Sequence, residues 1–371
     1  MYYTGIAHVE KDASFARSTR KNMRRFDMRN LVTIQEIAGT RPIPDADAIE
    51  LVLIKGWQCV AKKGEFTQGD LCVYYEVDSY LPIDGRYEFL RKTSYRNNEY
   101  MGEGFRIKTV TFRGEISQGL ALPLSAFGEV AGLAAGTDVT EILGVRKWEQ
   151  PEVAGSSGVE IGDKPFSIPT TDETRLQSMP EFLDAFRGKP YYITTKMDGT
   201  SCTVYCKEGK VGVCGRNKEY KEETQTCAMW AWVYKRGIKE KLLALGEDIA
   251  IQGEFCGAGI QKNRLKLIAP NLFVFDVIKF GDDGTLRKEG LDGLLSYCER
   301  LGIDVVPVEE AGDSFGYTLE ELIEKAKGKY SSGLDKEGIV VRTKEYGRMP
   351  DVNHKLSFKV LNNDFLKKDK G

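Results

Sequence analysis

Between residues 29 and 145 the chain alternates short β-prone runs with glycine or aspartate turns, a rhythm that leaves no room for long helices there. Leu31-Val32-Thr33-Ile34 opens the series. Glu50-Leu51-Val52-Leu53-Ile54-Lys55 runs into Gly56-Trp57, and Gln58-Cys59-Val60-Ala61 into Lys63-Gly64. Gly69-Asp70 precedes Leu71-Cys72-Val73-Tyr74-Tyr75-Glu76, and Thr109-Val110-Thr111-Phe112 follows later. Short strands separated by such turns point to a small barrel.

The rest of the chain differs. Residues 1–28 form a basic extension in which Arg17, Arg20, Lys21, Arg24 and Arg25 lie close together. This is either a solvated tail or an arm for phosphates. Residues 146–168 hold Pro151, Gly155-Ser156-Ser157-Gly158 and Pro165, and read as a linker. Residues 169–371 mix helix and strand. Tyr191-Tyr192-Ile193-Thr194-Thr195 is strand-like and delivers Lys196 at its end. Ser201–Lys207 and Val211–Cys214 read as a hairpin about Glu208-Gly209-Lys210. Leu272–Phe280 reads as a buried strand. Helices are expected over Thr224–Leu245, with Gly237 a weak point, and over Leu291–Leu301, stopped by Gly302. Thr318 and Glu321 form a capping box for another, through Lys327. The class is α+β.

A length of 371 residues suits two domains. A net charge of -2 means that any nucleic-acid face must come from local clustering of the 53 basic residues. No apolar run approaches the ~20 residues that span a bilayer, and the N-terminus lacks a signal-peptide pattern. A cytoplasmic, membrane-free monomer is the expectation. None of the eight cysteines forms C-x2-C, so they read as small buried thiols rather than zinc ligands. Only two histidines, His8 and His354, are present, which leaves little room for histidine acid–base chemistry.

Lys196-Met197-Asp198-Gly199 carries the chemistry. Alone, such a match arises by chance in roughly one chain in ten of this length. A lysine attacks phosphorus only as the free amine. Its ordinary pKa is about 10.4, so the site is expected to lower it with nearby cations. Downstream, in order, stand Cys214-Gly215-Arg216-Asn217, Gly253-Glu254-Phe255, Phe273-Val274-Phe275-Asp276, Glu337-Gly338-Ile339-Val340-Val341-Arg342 and Ser357-Phe358-Lys359. Glu337 abuts a buried-strand pattern, where an acid is costly unless it is used.

This ordered set resembles the polynucleotide ligase superfamily, and in detail the Deinococcus-type ATP-dependent RNA ligases. The first module is similar to an OB-fold, from Asp45-Ala46-Asp47-Ala48-Ile49-Glu50 through Asp78-Ser79-Tyr80-Leu81-Pro82 to Arg113-Gly114-Glu115-Ile116-Ser117-Gln118-Gly119-Leu120. The resemblance implies an N-terminal OB-fold β-barrel followed by a ligase-type adenylyltransferase domain, with ATP-grasp-like antiparallel sheets and helices. It implies ATP and Mg²⁺ or Mn²⁺ as cofactors and RNA ends, or a nicked duplex, as partner. Lys196, Glu337 and Lys359 become the catalytic residues. Thr194, Thr195, Asp198, Gly199, Arg216, Glu254, Phe275, Arg342 and Lys355 become nucleotide contacts, and Asp198 and Glu337 the metal ligands. Phe275 is preferred to Phe273 as the ring that stacks on adenine. Many relatives have K-x-K where position 361 here is leucine; Lys355 either substitutes or lies on the surface.

RNA contacts are expected at Arg175 and Gln177, in a lead-in segment that reads equally as a helix start. Others are expected on the barrel at Lys62, Lys63, Arg113 and Trp57. DNA ligases and capping enzymes carry an OB domain after the last lysine motif, whereas only Val360 to Gly371 follows Lys359. The implied reaction passes AMP from ATP to Lys196, then to a 5′-phosphate RNA end, and finally joins that end to a 3′-hydroxyl. An ATP-dependent DNA ligase and a non-catalytic RNA-binding protein are the alternative readings.

Overall fold

The computed structural model describes residues 30–149, 158–344 and 356–368. The basic segment within residues 1–28, both histidines and Lys355 lie outside the described residues. Contacts divide the chain into two units, one of Met1–Ile54 and Gln58–Gln150, the other of Lys55–Trp57 and Pro151–Gly371.

The first unit is built from small antiparallel sheets. Leu71–Tyr75 pairs on one side with Val32–Glu36 and on the other with Leu120–Pro123. Val32, Ile34, Val73 and Tyr75 alternate along their strands, so one face of this sheet supplies the core, joined by Leu81, Tyr87, Phe105 and Phe127. The Tyr75 and Tyr87 hydroxyls share a 2.9 Å hydrogen bond inside it. Val110–Phe112 and Glu115–Ser117 form a hairpin. Its turn places Arg113 and Gly114 both at positive φ, 47° and 82°, the geometry of a tight two-residue hairpin loop. Arg146–Lys147, expected in the linker, instead pairs with Ser79–Tyr80.

Two sheets dominate the second unit. The larger runs in the order Glu160–Asp163, Lys218–Tyr220, Lys210–Cys214, Thr200–Lys207, Ile249–Cys256, Asn271–Phe280, Leu286–Lys288, with Asp304–Val305 parallel to Asn271–Phe280. Residues 160–163 are therefore a sheet edge rather than linker. The smaller runs Thr174–Arg175, Ser357–Leu361, Gly338–Thr343, Tyr191–Lys196, Val308–Gly312. Helices Ala228–Lys235 and Ile238–Leu245 break at Gly237, where one continuous helix was expected to be weak. Leu291–Leu301 ends at Gly302, and Leu319–Lys325 starts with the Thr318–Glu321 capping box. The helices pack Trp230, Val233, Leu242, Leu294 and Leu301 into the core of the larger sheet. All eight cysteines are buried and unpaired. Among the described residues, no helix is long and apolar enough to cross a membrane.

The lead-in segment is no helix start. Thr174–Arg175 pairs in parallel with Phe358–Lys359, and Leu176–Ser178 makes one 3-10 turn.

Candidate active site

Sheet register assembles this site. Tyr191–Lys196 and Gly338–Thr343 pair antiparallel with Lys196 opposite Gly338, so the residue before Gly338 falls beside the lysine. Lys196 Nζ donates to Glu337 Oε2 at 2.6 Å. A side chain at 338 would meet the Val360 carbonyl at 2.1 Å, so glycine there is what lets the next strand close. That strand pairs Val340 with Lys359, and Arg175 pairs with Lys359 from its other side.

The larger sheet supplies the opposite wall. Ser201 pairs with Glu254, and the Gly199 amide donates to the Glu254 carboxylate. A Cβ on Gly199 would meet the Phe255 carbonyl at 2.5 Å and Cys256 Sγ at 2.6 Å. Glycine is required here by the neighbouring strand, a different reason from the close nucleotide approach expected. Between Ile249–Cys256 and Asn271–Phe280 the register slips: Gln252 pairs with Asp276 but Gly253 with Val274. Phe275 is the extra residue of this bulge, and bulges re-aim side chains. It lines a cleft together with Thr171, Glu173, Lys196, Glu254 and Arg342. Alternation along the strand cannot separate Phe273 from Phe275; the bulge does.

Arg342 organises the far end of the cleft. Its guanidinium donates to Thr194 Oγ1 at 2.9 Å and to Glu173 Oε1 at 3.1 Å, and stands 5.4 Å from the Phe275 ring centre. Glu173 also accepts from the Ser357 hydroxyl. Thr195 is already engaged: its amide donates to the Pro307 carbonyl at 2.9 Å and its hydroxyl to Glu309 at 2.7 Å.

Charge is finely set. Burial alone pulls the Lys196 ammonium down, but the Glu337 and Glu254 carboxylates outweigh it, and its pKa stands above the ordinary lysine value. The expectation was a lowering by a bound metal and by arginine or lysine in the pocket; the charges of the pocket's own side chains act in the opposite direction. Glu337, Glu254 and Asp198 are the charges that act on it most. Burial pushes Glu254 up to about 7 against the pull of Lys196. Burial, then Arg175 and Lys196, push Lys359 down to about 7.

Other expected contacts lie elsewhere. Gln177 is 1% exposed and its side-chain oxygen is buried without a partner, so it cannot contact RNA. Trp57 is buried too. Arg216 pairs with Asp172 and is not among the cleft-lining residues. Asp198 pairs with Arg264 at 3.1 Å. Lys62, Lys63 and Arg113 are exposed in the first unit. Among the described residues, no three His, Cys, Asp or Glu side chains converge as a metal cluster. The donor set fits a cation that takes one carboxylate, Glu337, and draws its other ligands from water and phosphate oxygens, as Mg²⁺ commonly does. The second metal ligand expected, Asp198, faces a guanidinium instead.

Comparison with known proteins identifies the scaffold. An OB-fold domain model matches residues 31–124, and an RNA ligase model matches residues 189–361. The structure of Naegleria gruberi RNA ligase with PPi is 36% identical, with a TM-score of 0.82, over 92% of this chain and 99% of that one. This chain belongs to the RNA ligase family. A lysine-to-alanine variant of the Naegleria gruberi ligase, with ATP and Mn, is 34% identical over 91% of this chain and 98% of that one, with a TM-score of 0.81. A lysine-to-methionine variant with AMP and Mn matches at 35% identity, with the same coverage and TM-score. No significant match is found among curated proteins. This ligase therefore has an N-terminal OB-fold followed by a ligase domain.

Sequence reasoning missed three site residues of the ligase. Glu173 lay inside the lead-in segment, but nothing in its spacing set it above Arg175 and Gln177. Arg264 sits in the connection between Ile249–Cys256 and Asn271–Phe280, outside any motif. Tyr330 Oη donates to the Lys196 carbonyl at 2.7 Å and accepts from the Glu337 amide at 3.0 Å.

Proposed function

We propose that this ATP-dependent RNA ligase joins 3′-hydroxyl and 5′-phosphate RNA ends at nicks, through an adenylate on Lys196 and then on the RNA. The observation that carries the reading is the Lys196 amine, 2.6 Å from Glu337, in one cleft with Phe275 and Arg342. Nζ attacks the α-phosphorus of ATP, the Nζ–P bond forms, and the bond to the bridging oxygen breaks with its electrons leaving on pyrophosphate. The lysine proton passes to water as the amine attacks. Lys359, half-buried and with its pKa pushed down to about 7, would supply positive charge where the leaving group gains negative charge. The Naegleria gruberi complexes with ATP and Mn support ATP and a divalent metal as cofactors here. When bound, the metal neutralises phosphate charge, and Glu337 is the residue that would hold it.

The adenine ring would lie against Phe275, beside Arg342. Lys62, Lys63 and Arg113 on the OB-fold, and Arg175 beside Lys359, would hold RNA phosphates. Four segments, 1–28, 29–145, 146–168 and 169–371, remain our working division, with the linker shortened to 148–159 by the two strands at its ends. Incubation with α-labelled ATP, followed by nicked RNA and DNA duplexes, tests the reading. Covalent label on the protein and sealing of RNA 3′-hydroxyl nicks are expected. Unlabelled protein removes the reaction, and equal sealing with a DNA 3′-hydroxyl strand favours a DNA ligase.

A further inference from the structure

We infer that Tyr330 is a positioning residue that locks the nucleophile Lys196 onto its carboxylate partner Glu337 through one shared hydroxyl. The inference rests on the lysyl-adenylate reading above. The tyrosine belongs to none of the motifs, yet its Oη is bonded to both catalytic strands. It donates to the carbonyl of Lys196 at 2.7 Å and accepts the amide of Glu337 at 3.0 Å. These strands end in the site: Lys196 is the last residue of its strand, and Glu337 directly precedes Gly338 of the other. Beyond Lys196 and Gly338 the regular ladder stops. Glu337 is also held by the Asn362 amide, which donates to its carbonyl at 2.9 Å. The Tyr330 hydroxyl joins the two residues one rung past the ladder.

The tyrosine is itself fixed. Its ring is 7% exposed and packs with Met197, Cys256, Phe275 and Val306. Its amide donates to the Leu334 carbonyl at 2.8 Å, and its carbonyl accepts the Gly333 amide at 2.9 Å. Lys329 bridges to Asp335 in the same turn. The turn therefore anchors the ring at its backbone, and the ring packing aims the hydroxyl. Burial pushes its phenol far above the ordinary value, so it stays protonated and remains a donor throughout the working pH range.

Such a tie matters unequally to the steps of the reaction. Lysine attack needs Nζ and the Glu337 carboxylate in fixed register. Joining of RNA that already carries the adenylate does not use the lysine as nucleophile. It still needs Glu337, but that residue keeps its bond from the Asn362 amide, so loss of the hydroxyl should displace Lys196 more than Glu337. A hydroxyl that only supported the fold would affect both alike.

The test is Tyr330→Phe in the full chain, which keeps the ring and removes the hydroxyl. With α-labelled ATP, the rate of Lys196 labelling at saturating ATP should fall at least tenfold while the KM for ATP changes less than twofold. Sealing of chemically pre-adenylylated nicked RNA by the same preparation should fall less than threefold, which also reports that the variant is folded. Equal losses in both assays would make Tyr330 structural and overturn the proposal, as would labelling at the parent rate. The parent protein controls for the underlying reading: if it takes no label from ATP, the ligase mechanism fails, whereas a labelled parent with an equally labelled variant removes Tyr330 alone.

Discussion

Lys196 Nζ and Glu337 Oε2 lie 2.6 Å apart although 141 residues separate them in the chain. The pairing has two consequences. It favours the charged ammonium form of Lys196 in the ligand-free protein, and on the lysyl-adenylate reading it sets the carboxylate where the α-phosphate of a nucleotide would arrive. On that reading, a phosphate and its cation entering the site would compete for Glu337 and free the lysine to react.

Lys196→Ala should abolish covalent labelling by α-labelled ATP and spare the sealing of pre-adenylylated RNA, because the lysine is not the nucleophile in the last step. Glu337→Ala should lose both, and removing the divalent metal from the parent should reproduce that double loss. Gel detection of labelled protein and of joined strands measures each. Full labelling of the Lys196 variant would remove the assignment.

Lys359→Met should cost activity but increase stability. With a pKa of about 7 when folded and the ordinary value of 10.5 when unfolded, Lys359 carries its full burial penalty below pH 7. The folded protein then binds fewer protons than the unfolded chain between pH 7 and 10.5, so stability rises with pH across that window. The methionine variant should be more stable than the parent by a few kcal/mol below pH 7, with the gain shrinking toward pH 10. Glu254 has the opposite slope between pH 4.5 and about 7, but in both proteins alike, so it drops out of the difference. Denaturant midpoints at pH 6 and pH 9 check the sign; an equal gain at both would show that Lys359 does not titrate as described. Adenylylation by the variant should fall at least a hundredfold.

Phe275→Leu should raise the KM for ATP roughly tenfold while leaving the protein folded, since aromatic–base stacking is typically worth ~1–3 kcal/mol. Leucine is the right probe because Phe275 is 9% exposed and shares a cluster with Met197 and Tyr330, where alanine would open a cavity at ~3–5 kcal/mol. Steady-state kinetics at varied ATP, with thermal midpoints alongside, separates the two roles. A lower midpoint with an unchanged KM would leave Phe275 as core only.

A fragment starting at residue 158 should form the Lys196 adduct, whereas one starting at 169 should aggregate or label poorly. The cut at 169 removes Glu160–Asp163, which pair with Lys218–Tyr220, and leaves that sheet edge open. It also removes Lys164, whose Nζ lies 3.5 Å from Thr203 Oγ1. The longer fragment, lacking the OB-fold, should seal nicked RNA less well than the full chain at moderate salt and with a flatter salt dependence. Labelling yield and sealing against salt concentration are the measurements. Equal sealing by fragment and full chain would deny the OB-fold a role in holding RNA.

The chain's own pattern determined the RNA ligase reading and most of the elements that carry it. Lys196 at a strand end, Glu254 and Glu337 against apolar strands, the helix stop at Gly302 and the Thr318 cap are all readable because each depends on residues a few positions apart. Tertiary structure decided everything that depends on which strand lies beside which. Register across the sheet put Glu337 on Lys196, and a single slipped residue turned Phe275 into the cleft. The fold buried Gln177 and Trp57, gave Asp198 to Arg264, and brought Tyr330 to Lys196 from 134 residues away. Periodicity reports which face of a strand is apolar but is silent on its neighbour. For the same reason, the sequence indicated that a lysine must be activated, while only the assembled pocket brought the Glu337 and Glu254 carboxylates close enough to raise its pKa.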